Sequence, residues 1–576
     1  MTRLHTHALI PSLTASMLGL IAGCAASMQP APTTTPQTAG GPPGAQPAPP
    51  QAAPTAKQAP PPSGTARDLK FPPVARSTTK GGLEINTVAM TQLPTVDVKL
   101  VIRSGSAADP TRFTGMAHLV SSMLKEGTLR RSSAQIAEEV DYLGAKLWVD
   151  NDEETTTIHM RALSEHLEEA LALVADLAVR PRFSATELGK LKKRELDRLA
   201  LQNKNPNYLV AREFYARLYG DHPYAKIDTD EKVIKRVRNT DLKRWHRQHF
   251  APNNAFLVVV GNVDAASVQK TSEKAFKGWF KRKVPKDAYP APPVRTRSEV
   301  VIVDRPESVQ SVIFVGNLAI PRNHPDYMPL TVANQVLGGS AASRLFMDLR
   351  ERQSLTYGAY SQVYQSVGQA PFRAAAAVRN EVTAQAMAAF MDHLSRIARE
   401  PAPPAELDNA KRFLSDRFPL RIDTPAKIAN LVSDLRVYDL PDDYWDKYRS
   451  EINGVDGSTA LAAARKYIQA DKALVVVVGK AAAVREALAK YGPVTVIDAE
   501  GNPVVVTAMA KPGPDQATKP KPASAPADKS GQAATPGDKT AKPEATKPPA
   551  SKPIPASKTQ PAQSAPAPAA NPGTLK

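Results

Sequence analysis

Gly115-Met116-Ala117-His118-Leu119-Val120-Ser121-Ser122-Met123-Leu124-Lys125-Glu126-Gly127-Thr128 is the stretch on which the reading of the whole chain turns. Met116, Leu119, Val120, Met123 and Leu124 recur at helical spacing and predict one buried apolar face, while His118, Ser121 and Ser122 fall together on another. Gly127 is placed to end the helix. A catalytic zinc needs three protein ligands and an open position for water, and two histidines one turn apart on a helix supply two of those ligands from one face. Here only the first histidine is present. A carboxylate between them must act as general base, and serine, which stands there as Ser121, cannot accept that proton near neutral pH.

The frame resembles the zinc helix of the pitrilysin/insulysin (insulinase-like) peptidases, the inverzincins, whose His-x-x-Glu-His pattern lies in a Gly-x-x-His...Gly-Thr setting. In this sequence the pattern reads His118-Leu119-Val120-Ser121-Ser122. The resemblance implies a third ligand, a Glu on a later helix that runs into Asn-Pro. Counting back from Asn205-Pro206 puts that position at Arg198, and an arginine repels a metal cation. His159, His166 and His222 form no short-range ligand pair that could replace the missing donors. The expectation is therefore a degenerate zinc site at His118, Ser121, Ser122 and Arg198, with no metal held by this chain.

A second anchor lies in Leu337-Gly338-Gly339-Ser340, Ser343-Arg344-Leu345-Phe346 and Leu349-Arg350-Glu351-Arg352-Gln353-Ser354-Leu355-Thr356-Tyr357-Gly358. Its form is similar to the second-domain signature of the same family. The resemblance implies that Arg350 and Tyr357 face a zinc site across a clamshell, Arg350 holding a substrate carbonyl and Tyr357 donating to the developing oxyanion.

Between Leu69 and Val506 the chain repeats itself. Strand-like runs at Gly82–Val88 and Val96–Ile102, the His118 helix, a helix over Ser133–Tyr142, strands Ala145–Val149 and Thr155–Leu163, helices over Glu165–Ala178 and Ala185–Asn203, and a closing strand Phe256–Gly261 form one series. Strands Glu299–Val303 and Ser311–Val315, helices Tyr327–Val336 and Ser343–Arg350, strands from Tyr357 and over Pro371–Val378, helices Thr383–Arg396 and Glu406–Phe418, and strand Leu474–Gly479 form the other. The fold class expected is α+β: two homologous domains, each an antiparallel sheet packed by helices. They span 69–284 and 299–508, with 285–298 as a proline-rich hinge.

The two ends are of another kind. Residues 1–24 read as an export signal, with Leu20-Ile21-Ala22-Gly23-Cys24 resembling a bacterial lipobox whose cysteine becomes the lipidated first residue. Cys24 is the single cysteine in 576 residues, so no intramolecular disulfide competes for it. Residues 25–68 and 509–576 are rich in Pro and Ala and carry too few bulky apolar side chains to build a core. The tail holds ten lysines against four acids, a third of the net charge of +18, so the high overall charge says little about the folded part. Export argues against a nucleic-acid partner.

Taken together, these readings predict a lipid-anchored protein of the bacterial cell envelope, facing the periplasm or the exterior. It would be the non-catalytic subunit of a heterodimeric zinc peptidase: zinc sits on a partner subunit of the same family, unfolded peptide is the substrate, and the N-terminal lipid meets the membrane. A non-enzymatic scaffold or binding protein of the envelope is the alternative. An autonomous metallopeptidase with an unusual site is the third reading, and it needs ligands the sequence does not offer.

Overall fold

Phe256–Val260 and Leu474–Val478 are uninterrupted apolar runs, and every residue of both is buried. A strand with both faces buried needs packing on both sides of its sheet. The architecture meets that requirement by an exchange of helices. The computed structural model describes residues 69–285 and 289–504; Cys24, the whole tether 25–68 and the tail 509–576 lie outside the described residues.

The first half runs β1 (Ala75–Thr78), β2 (Glu84–Ala89), β3 (Thr95–Ile102), α1 (Met116–Leu124), α2 (Ser133–Tyr142), β4 (Lys146–Asn151) and β5 (Thr156–Leu163). It continues through α3 (Leu167–Val179), α4 (Ala185–Gln202), α5 (Pro206–Tyr219), α6 (Glu231–Arg236), α7 (Asn239–His249), β6 (Ala255–Gly261) and α8 (Ala265–Ala275). The second half runs β7 (Glu299–Asp304), β8 (Gln310–Leu318), α9 (Tyr327–Leu337), α10 (Arg344–Phe346), β9 (Thr356–Val363), β10 (Pro371–Arg379) and α11 (Thr383–Ile397). It ends with α12 (Pro404–Asp416), α13 (Pro425–Val437), α14 (Tyr444–Gly454), α15 (Gly457–Tyr467), β11 (Leu474–Gly479), α16 (Ala481–Leu488) and β12 (Val494–Ile497). From β2 and from β7 onward the order is the same, which makes α5 the counterpart of α13.

Each half builds one six-stranded sheet, ordered β1-β2-β6-β3-β5-β4 and β12-β7-β11-β8-β10-β9. The expected antiparallel sheets are in fact mixed. The closing strands β6 and β11 return after a run of five helices and enter parallel to β2 and β7, because so long a connection permits a parallel crossover. The remaining neighbours are antiparallel, except that β12 fills the outer slot parallel to β7 where β1 fills it antiparallel to β2.

Strand alternation assigns the two faces. In the second sheet Val300, Ile302, Ile313, Val315, Val475 and Val477 face their own helices, while Val301, Val303, Val312, Phe314, Val476 and Val478 pack with Leu209, Val210, Phe214 and Leu218 of α5. In the first sheet β3 and β6 receive α13 of the second half. Local sequence makes α5 a helix where it is needed: the Asn205 side chain accepts from the Asn207 N–H at 3.0 Å, Pro206 occupies the first turn, and Gly220 leaves the helix at φ 58. Its four core side chains contribute about 1.5–3 kcal/mol each by burial. Polar ties reinforce the exchange, with Arg217 3.0 Å from Glu299, Lys99 donating to Asn430 at 3.0 Å and Tyr219 donating to the Gln369 carbonyl at 2.7 Å. The expected hinge is itself tied down, since Arg295 bonds both Glu299 (2.8 Å) and the Arg217 carbonyl (3.3 Å).

The exchange makes a specific stability prediction. Phe214→Ala should cost about 3–5 kcal/mol, and amide hydrogen exchange should speed up in β7, β8 and β11, which belong to the other half. Loss of protection confined to residues 69–284 would contradict the assignment.

Candidate functional site

Helix α1 is started from outside. Asp109 accepts the Gly115 N–H at 2.7 Å and the Ala117 N–H at 2.8 Å, and Gly115 sits at φ 91, where a side chain would be strained and would also collide with Thr229. The predicted apolar face is buried as expected, but Ser121 is buried with it. Its hydroxyl turns back to the His118 carbonyl (2.8 Å) and to Asn151 Oδ1 on β4 (3.1 Å). Ser122 is half-buried.

The partner of His118 is one the sequence reading missed. His118 Nε2 lies 3.2 Å from Oε2 of Glu195 on α4, and Glu195 is buried. The expectation that Arg198 occupies the third-ligand position is therefore corrected: the carboxylate opposite His118 is Glu195, and Arg198 stands one turn further on. Counting back from Asn205-Pro206 assumed a fixed joint between α4 and α5, which α4 does not respect because it continues to Gln202. The available signal was the acid three residues before Arg198, on the same helical face.

Arg198 is nevertheless central. Its Nε donates to the same Glu195 oxygen at 2.8 Å, and its two Nη atoms grip Asp228 at 2.8 and 2.5 Å. His118, Glu195, Arg198 and Asp228 form one continuous chain in which a guanidinium serves as the fixed cation. Burial alone would raise the Glu195 pKa, but His118 and Arg198 hold it down to about 2, and the Asp228 bond pushes Arg198 up. This donor set does not fit a catalytic zinc. It offers one histidine and one carboxylate, the carboxylate oxygen facing that histidine is already bound to a cation, and no group of three metal-ligating side chains occurs among the described residues.

Arg350 and Tyr357 lie in the second half, each at a backbone irregularity. Arg350 belongs to a π-helical segment, Met347–Arg352, with its guanidinium 4.9 Å from the Phe346 ring and its Nε 3.4 Å from Glu351. Ser354 has φ 52, in the left-handed region that non-glycine residues seldom occupy. Tyr357 stands in a β-bulge on edge strand β9: Thr356 pairs with Val378 and Ala359 with Ala376, so Tyr357 and Gly358 together oppose Ala377. The Tyr357 side chain is 84% exposed. No hydrogen bond or ion pair among the described residues joins Arg350 or Tyr357 to His118 or Glu195.

The ion-pair chain has a pH signature. Because the folded pKa of Glu195 lies below its ordinary value of 4.5, its stabilising contribution is complete above pH 4.5 and is lost as pH falls toward about 2. Asp109 acts in the opposite sense: burial pushes its pKa up to about 7, so its ionisation erodes stability as pH rises from about 4 to 7. Glu195→Gln should flatten the acid limb of a stability-against-pH curve measured by urea unfolding, and Asp109→Asn should flatten the limb approaching neutrality. Parallel curves for both variants and wild type would refute the two assignments.

Comparison with known proteins agrees with this geometry. Residues 86–228 match the family model described as insulinase (peptidase family M16), and residues 236–414 match the model described as peptidase M16 inactive domain, which takes in Arg350 and Tyr357. The chain is 27% identical over 293 residues to an uncharacterized zinc protease of Rickettsia felis, covering 50% of this chain and 70% of that protein. It is 25% identical over 355 residues to the uncharacterized zinc protease YmxG of Bacillus subtilis, covering 61% and 85%. The crystal structure of a peptidase M16 inactive domain from Pseudomonas fluorescens superposes with a TM-score of 0.67 at 27% identity, over 71% of this chain and 98% of that one. A protease from Helicobacter pylori shares the fold alone, with a TM-score of 0.65 at 19% identity over 71% and 99%. With both halves accounted for in this way, the chain belongs to the insulinase/pitrilysin (M16) peptidase family, and its His118 helix lacks that family's second histidine and glutamate.

Proposed function

We propose that this protein is the non-catalytic subunit of a two-chain zinc peptidase of the cell envelope, anchored through lipid on Cys24, and that it binds and orients unfolded peptide for a zinc-bearing partner of the same family. The carrying observation is the contrast between the two anchors. Around His118 every charge is neutralised internally, whereas Arg350 and Tyr357 are exposed and stand in a π-segment and a bulge, irregularities often found at functional sites. The partner would supply the metal-activated water and the general base. In this chain the Arg350 guanidinium would hold a substrate carbonyl, and the Tyr357 hydroxyl would donate to the oxyanion that develops on it. Among the described residues strand β9 pairs with β10 alone; on its outer edge the Ser361 N–H is taken by the Gly338 carbonyl at 2.9 Å, so an extended peptide would add at the Tyr357 end.

The second reading, a non-enzymatic envelope scaffold, draws on the exchanged helices, which lock the halves together. The two readings part at Tyr357. With the chain co-purified alongside a zinc-bearing partner, metal analysis should find zinc on the partner only, and Tyr357→Phe should leave the yield of complex unchanged while slowing single-turnover peptide cleavage about a hundredfold. Arg350→Ala should also weaken substrate binding, because a fixed charge acts in the ground state as well. Wild-type rates in both variants would leave the scaffold reading standing. Separately, Cys24 should take up a fatty-acid label in cells and Cys24→Ser should not; an unlabelled wild-type chain beside labelled control lipoproteins would sink the anchor.

A further inference from the structure

We infer that the basic face around α8 is a docking surface for an anionic phospholipid bilayer, distinct from the lipid attached at Cys24. A depression of about 310 Å³ on the first half is lined by Arg130, Arg180, Lys274 and Lys277 together with Glu168 and Thr271. Glu168 is taken by Lys274, and Arg180 lies 3.5 Å from buried Asp176. Arg130 and Lys277 have no carboxylate within ion-pair reach among the described residues, so two uncompensated cations face the same depression. Leu129, beside Arg130 and 65% exposed, is pinned by its N–H to the Arg180 carbonyl at 2.9 Å.

The charge continues along the chain. From Lys270 to Lys283 there are six cations and one acid, and the segment carries Phe280, 67% exposed. Cations beside protruding apolar side chains suit a surface of phosphate headgroups with an acyl boundary beneath it. No helix among the described residues is long and apolar enough to cross a membrane, so contact at this face would be peripheral.

The test uses the full-length Cys24→Ser chain, which has no lipid of its own, in sedimentation with vesicles of phosphatidylcholine alone or with part of it replaced by phosphatidylglycerol. Binding is expected only to the anionic vesicles and should weaken with salt. Each cation near an anionic surface contributes about fivefold, so Arg130→Gln/Lys277→Gln should bind roughly 25-fold more weakly. Both residues are exposed and unpaired, and far-UV circular dichroism should match the parent; Lys277→Gln alone, at about fivefold, serves if the double variant misfolds. Leu129→Ser should weaken binding at high salt, where the charge contribution is screened. The basic tail is common to all variants, so unchanged binding in the double variant would assign the membrane contact to the tail and overturn the inference. Equal binding to neutral vesicles would overturn it too, as would full displacement by inorganic phosphate at matched ionic strength, which would mark a free-phosphate site.

Discussion

The exchange of α5 and α13 is the constraint on which the rest depends. A six-stranded sheet whose central strand is valine on both faces cannot stand in solution with one face bare, and neither half has a helix of its own to cover the second face. Each lends one to the other, from the same position in its repeat. The halves are therefore not independent bodies joined by a hinge. The ties of Arg217 to Glu299 and of Arg295 to both Glu299 and the Arg217 carbonyl show the connector held at the end of α5, where a swinging linker would have been free.

The same logic of compensation governs the His118 site. Without a cation beside it, Glu195 would be an uncompensated buried charge, a situation that costs several kcal/mol (roughly 3–5) when a partner is missing. Arg198 supplies the positive charge and is itself fixed by Asp228. The site offers too few donors for a metal centre and holds Glu195 between His118 and Arg198, and the low pKa of Glu195 follows from those two neighbours.

The repeat, the two anchors and most strands were legible in the sequence because each is written in local periodicity or in a motif. What was missed is long-range. The helix α5 carries Leu209, Val210, Phe214 and Leu218, but the surface that explains them is the other half's sheet, which no window along the chain contains. The parallel entry of β6 and β11 depends on what happens across five helices, and the pairing of Glu195 with His118 depends on how α4 lies against α1. The bulge at Tyr357 is invisible for a similar reason, since it exists only relative to Ala377 on the neighbouring strand.

Set side by side, the two anchors have met opposite fates. A π-turn, a left-handed serine and a β-bulge within eleven residues of Met347–Tyr357 give up regular hydrogen bonding and accept strained backbone, which costs on the order of 1–3 kcal/mol for a residue such as Ser354. The segment packs Leu349 and Leu355 into the core and pairs Asp348 with His393 at 2.7 Å, while Tyr357 points outward and the Arg350 side chain is about half exposed. The His118 helix, by contrast, faces an internal network in which Arg198 bonds both Glu195 and Asp228. An exposed, irregular anchor beside a neutralised one fits the proposed division of labour between two chains, in which a partner brings the donors that this chain lacks and this chain brings the exposed pair.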